Sequence, residues 1–130
     1  MRTLLIALVA MIGASAMADS TDYGFTTSEF GGAVQVSYFD YREDILEWFQ
    51  SRDLQGGGYT WEALVRSALE LQRSPYADDV EYNSEGDALF ATVSSEEASE
   101  ALKDVFRRLT TDEAFRLECM AHAQRRGDLD

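Results

Sequence analysis

The most reactive side chains stand near the C-terminus. Cys119 and His122 are three residues apart, which sets them on neighbouring faces of a helix. A thiol beside an imidazole is the raw material of a Cys–His nucleophile pair. No third orienting group accompanies them, and such pairs normally join separate elements. Cys119 therefore reads as a small buried apolar residue and His122 as a surface group. The run Asp78-Asp79-x-Glu81-x-Asn83-x-Glu85-x-Asp87 offers the oxygens of a calcium loop. In a register starting at Asp79, Ser84 and Phe90 stand where such a loop needs Gly and Glu, so the alternation fits an exposed hairpin face better. Gly56-Gly57-Gly58 invites a phosphate-loop reading, but no Lys-Ser/Thr follows it and it does not come straight off a strand. A flexible hinge or contact loop is the expectation. Carboxylates are plentiful enough for acid–base hydrolysis, yet no local pattern singles out a pair.

Composition narrows the classes. The chain has 130 residues, with 11 Lys+Arg against 24 Asp+Glu, for a net charge of −13. One His and one Cys cannot furnish a zinc site or a disulfide framework, and no cofactor is indicated. Nucleic acid is an unsuitable partner, since its backbone requires a basic stripe. The 45% hydrophobic and 12% aromatic content argues for a folded core.

The N-terminus reads as an export signal. Arg2 precedes an apolar run from Leu4 to Ile12, and Ala16-Met17-Ala18 has the small-x-small pattern of a cleavage site. The run is short for a membrane span, so no stable insertion is expected after cleavage. Cleavage after Ala18 predicts a periplasmic or secreted protein of 112 residues, one domain over residues 19–130, with net charge −14. Residues 19–100 hold 18 acidic and four basic side chains, whereas 101–130 hold six of each. That imbalance serves solubility or steers a basic partner.

The elements that would carry these groups follow from periodicity. Residues 23–30 and 33–39 read as strands around Gly31-Gly32. Asp40 and Glu43 suggest a capping box for a helix to about Arg52, closed by the glycine triplet. Thr60 is positioned to cap a second helix, with Glu62 in its first turn and Pro75 beyond its end. Residues 80–82 and 89–93 form a second hairpin, with Gly86 suited to positive φ. Ser94 with Glu97, and Thr110 with Glu113, mark two more helix starts. The order is ββααββαα: an α+β two-layer domain, an antiparallel sheet of about four strands with helices on one face.

Two segments together carry a family resemblance. One is Tyr38-Phe39-Asp40-Tyr41, a helix, then Gly56-Gly57-Gly58-Tyr59-Thr60-Trp61-Glu62-Ala63-Leu64. The other is Glu81-Tyr82-Asn83-Ser84-Glu85-Gly86-Asp87-Ala88-Leu89-Phe90-Ala91, running into the helix that ends near Leu109. Over residues 38–123 the chain resembles the immunity protein 51 family of bacterial polymorphic toxin systems. The resemblance implies a protein that neutralises a cognate toxin by binding it rather than by catalysis. Physically, Gly58, Tyr59, Trp61 and Glu62 form a structural motif, with a turn, a core plug and a helix-dipole carboxylate. The acidic and aromatic residues Tyr41, Glu43, Asp44, Glu47, Tyr59, Tyr76, Asp78, Asp79 and Glu81 are the candidate contacts for a basic toxin. The competing readings are a small envelope hydrolase using carboxylates or Cys119/His122, and a periplasmic interaction module unrelated to toxins.

Overall fold

The computed structural model describes residues 24–39 and 42–129. The expected leader (1–18), Tyr23, the proposed cap Asp40 and the candidate contact Tyr41 lie outside the described residues.

The chain opens with β1 (Phe25–Phe30) and β2 (Ala33–Tyr38). Gly31 and Gly32 join them with φ of 55° and 84°. A two-residue turn with both φ positive matches the twist of its flanking strands, and glycine adopts it without a Cβ clash. Helix α1 (Glu43–Gln50) and helix α2 (Gly58–Leu71) follow. A single 3₁₀ turn (Ala77–Asp79) leads into β3 (Glu81–Tyr82) and β4 (Leu89–Val93). Helices α3 (Glu96–Thr111) and α4 (Glu113–Arg126) complete the described part. All strand pairs are antiparallel, in the order β1-β2-β4-β3. The ββααββαα order and the α+β architecture are those expected from the sequence.

Register explains the layering. Val34 pairs with Val93, Val36 with Ala91 and Tyr38 with Leu89, and all six are buried. Strand side chains alternate between faces, so these six form one apolar face of the sheet. That face carries Trp61 from α2 and Phe106 from α3, which close on Tyr38 with ring centroids 4.8 and 5.6 Å away. Phe25 and Phe49 complete the aromatic centre.

Several helix ends differ from expectation, each for a local reason. Helix α1 begins after Arg42 without a side-chain cap, and Glu43 and Asp44 favour its positive end instead. It stops at Gln50, because Asp53 takes φ of 65° and Leu54 N–H donates back to the Phe49 carbonyl at 3.1 Å. The glycine triplet plays no part in that stop. Ser95, not Ser94, caps α3 by accepting from Ala98 N–H at 3.1 Å. Asp112, not Thr110, caps α4 by accepting from Phe115 N–H at 3.1 Å. The Thr110 hydroxyl donates instead to the Phe106 carbonyl at 2.9 Å, within the last turns of α3.

The end of α2 carries a removable strain. Arg73 sits at φ of 54° while Ser74 N–H donates to the Leu69 carbonyl at 2.9 Å, the motif in which glycine is favoured. The left-handed cost to a residue with a Cβ outweighs the extra unfolded freedom of glycine. Arg73→Gly is therefore expected to raise stability by about 0.5–1 kcal/mol. A lower urea midpoint for the variant would contradict this.

Candidate interaction surface

The two segments that carry the family resemblance meet in space. Gly58 N–H donates to the Gly86 carbonyl at 3.0 Å, which seats the β3–β4 hairpin on the start of α2. A Cβ on Gly57 would run into the Gly86 carbonyl oxygen, and one on Gly58 into the carbonyls of Glu85 and Ala88. Gly56, with φ of 79°, packs beside Leu46 and Phe49. All three glycines are buried, so the triplet is a packed joint and not a hinge or contact loop. Gly86 does not take a positive φ; its carbonyl makes the joint.

The rest of the motif is partly as expected. Trp61 is 1% exposed and meets Tyr38, Phe49 and Phe106. Thr60 does not cap: α2 already begins at Gly58, and Thr60 Oγ1 accepts from Gly56 N–H at 3.1 Å. Glu62 lies beyond the first turn and pairs with Arg66 at 2.7 Å rather than with the helix dipole.

Cys119 and His122 do not act as a pair. Cys119 is fully buried in the core, where desolvation, aided by Glu118, pushes its thiol up to about 12. His122 is not a free surface group. Its Nδ1 lies 3.0 Å from Ser67 Oγ, and its Nε2 lies 3.8 Å from Glu70, which also pairs with Arg126. A serine, a histidine and a carboxylate thus come together, as in hydrolase triads. Ser67 is 0% exposed, however, so no substrate carbonyl reaches its hydroxyl. The cluster fastens α4 to α2. Among the described residues no group of three or more His, Cys, Asp or Glu side chains is arranged to hold a metal.

The buried thiol has a pH signature. Folding favours its neutral form, because its pKa rises from the ordinary value of roughly 8.5. That contribution is fully present below the ordinary value and is lost as pH climbs toward about 12. Burial raises the Tyr38 and Tyr82 hydroxyls in the same direction. The urea midpoint of the reduced protein is expected to fall between about pH 8 and about pH 11, less steeply in Cys119→Ala. A flat profile would contradict the burial.

The candidate contacts separate into two groups. Glu43, Asp44 and Glu47 are exposed on α1, and Asp44 is bound by Arg42 at 2.8 Å, which holds its carboxyl below the usual range. Asp78, Asp79 and Glu81 are exposed on the 3₁₀ turn and the edge strand β3. The chain leaves β2 for α1 at Tyr38, opposite Leu89, but enters β3 at Glu81, opposite Thr92. The two groups therefore flank opposite ends of the sheet. Tyr59 is 59% exposed, beside an open depression of about 670 Å³ lined also by Asp53, Leu54 and Asp128. Tyr76 is half-buried against the core.

Charge follows the layers. The sheet and its turns (24–39 and 77–95) contain six carboxylates, Glu29, Asp78, Asp79, Glu81, Glu85 and Asp87, and no Lys or Arg. The helical segments (42–73 and 96–129) contain 14 carboxylates and ten Lys or Arg. Ion pairs such as Lys103–Glu100 and Arg107–Asp104 occupy the helical layer. The excess of acid over residues 19–100 is visible along the chain, whereas this division depends on the strand pairing.

A polar joint between α1 and α4 is likewise not apparent from residue spacing. The Trp48 ring lies against the guanidinium groups of Arg52 at 3.9 Å and Arg116 at 4.5 Å, while its Nε1 donates to Glu113 at 2.7 Å. Arg116 is buried and donates to the Leu109 carbonyl at 2.7 Å. Only the amphipathic placement of Trp48 hinted at a buried neighbour.

A family model described as Immunity protein 51 matches residues 25–125 of the chain. No curated protein and no solved structure matches it. Among the described residues, no helix is long and apolar enough to cross a membrane.

Proposed function

Because the chain belongs to the immunity protein 51 family, we propose that it is exported and neutralises a cognate toxin by binding and occluding a basic surface of that toxin. The family assigns the chain to immunity proteins of toxin systems in general. The finer reading rests on one further observation, the uncompensated negative charge. Net charge of −13 in 130 residues raises the local concentration of a cationic partner and accelerates encounter. The apolar run and the Ala16-Met17-Ala18 pattern support export, and with it an encounter in the envelope.

The test uses the chain expressed with its own leader and the toxin domain encoded by the adjoining reading frame. Envelope fractionation with N-terminal sequencing is expected to return a chain beginning at Asp19. Co-expression is expected to protect a cell making the toxin, with a 1:1 complex isolated from it. A chain retained in the cytoplasm would remove export from the reading. Absence of both complex and protection would remove toxin binding.

A further inference from the structure

We infer that the partner docks on the open face of the sheet, the face turned away from the helices, and that this face selects a basic protein surface. The inference rests on the toxin-binding reading above and specifies where that binding occurs. Thr26 pairs with Ser37, Ser28 with Gln35, Gln35 with Thr92, and Ser37 with Phe90. These positions alternate with the apolar set of Val34, Val36, Leu89 and Ala91, so they project from the opposite side. No described element covers them. Thr26 and Ser28 are exposed; Gln35, Phe90 and Thr92 are half-buried. Ser37, the small residue between Thr26 and Phe90, is the buried exception. Phe39, at the end of β2, is 55% exposed.

The chemistry of this face suits a protein partner. Its centre is uncharged, with hydroxyls and an amide around Phe90, so little charge must be desolvated on contact. Carboxylates stand at the β3 margin: Glu81, opposite Thr92 on the same face, with Asp78 and Asp79 leading into that strand. An apolar and neutral centre with a charged rim is how protein interfaces are built. The sign of the rim decides the occupant. With no Lys or Arg anywhere in the sheet layer, nucleic acid and anionic lipid are repelled, and a second copy of this chain would set like charges face to face. The helical layer neutralises much of its own charge in ion pairs. None of the six sheet-layer carboxylates takes part in one among the described residues.

The test compares two double variants for affinity to the toxin domain of the adjoining reading frame. Ser28→Arg with Thr92→Arg places cations on the open face. Glu97→Arg with Glu118→Arg does the same on exposed, unpaired positions of the helices. The face variant is expected to weaken binding on the order of 100-fold, and the helix variant less than about threefold. A face variant that binds like the unaltered chain, or a helix variant that carries the loss, overturns the docking face while leaving toxin binding intact. If the unaltered chain makes no complex, the toxin-binding reading fails and this inference with it. Should the face variant melt early by circular dichroism, carboxylate labelling of the unaltered complex decides. Glu81 is expected to be protected, with Glu97 and Glu118 still reactive. The reverse pattern overturns the proposal.

Discussion

Gly58→Ala is expected to cost at least about 3 kcal/mol of unfolding free energy, because the added methyl meets backbone that has no slack. A Cβ is fixed by the backbone and cannot rotate away. At Gly58 it would overlap the carbonyl oxygens of both Glu85 and Ala88. Relief requires the β3–β4 hairpin to withdraw from α2, which breaks the hydrogen bond from Gly58 N–H to Gly86 and opens the region above Trp61. Gly57→Ala should behave similarly through the Gly86 carbonyl. Gly86→Ala is the internal control: nothing lies within 4 Å of a Cβ there, and its φ is not positive. Its effect should stay within about 0.5 kcal/mol, as for other surface substitutions. Urea denaturation of the three variants measures this directly. Equal stabilities for Gly58→Ala and Gly86→Ala would show that the joint does not bear on folding.

Trp61→Ala is expected to remove about 3–5 kcal/mol, the range for buried aromatic truncations. Trp61 is the residue on which the aromatic centre converges. Tyr38 meets it edge-on at 4.8 Å, Phe49 meets it at 5.4 Å, and Phe106 stacks against it at 6.1 Å. Those rings come from β2, α1 and α3, so the vacancy would touch three other elements at once. Small domains have roughly 5–15 kcal/mol in total, and a loss of this size removes a large part of it. The melting temperature should fall by more than about 10 °C. Trp61→Phe, which keeps a ring in place, should lose less. A Trp61→Ala protein that melts normally would contradict the core assignment.

Much of the fold was legible because its signals are local. Val34, Val36 and Tyr38 alternate, Leu102, Val105, Phe106 and Leu109 repeat with helical spacing, and Pro75 closes α2 from outside. Cap positions slipped by one to three residues, in part because neighbouring hydroxyls and carboxylates compete for the same N–H groups. Ser94 and Ser95 are adjacent, and Thr110 found a carbonyl within its own helix. The glycine triplet was misread for a deeper reason. Its role depends on a carbonyl 28 residues away at Gly86, and nothing in the spacing reveals that approach. The candidate contacts suffered in the same way. Glu43 and Glu81 looked like members of one acidic surface along the chain, but strand order sends them to opposite ends of the sheet. His122 looked exposed because its partners, Ser67 and Glu70, lie more than 50 residues earlier.

The most direct test of the account is calorimetric titration of the toxin domain from the adjoining reading frame into the purified mature chain, at low and at physiological ionic strength. One toxin per chain is expected, with an affinity that falls as salt rises, since screening at physiological ionic strength shortens the reach of the carboxylates to about 8 Å. No binding heat, or an affinity indifferent to salt, would contradict the claim that this protein works by presenting an anionic surface to a basic toxin.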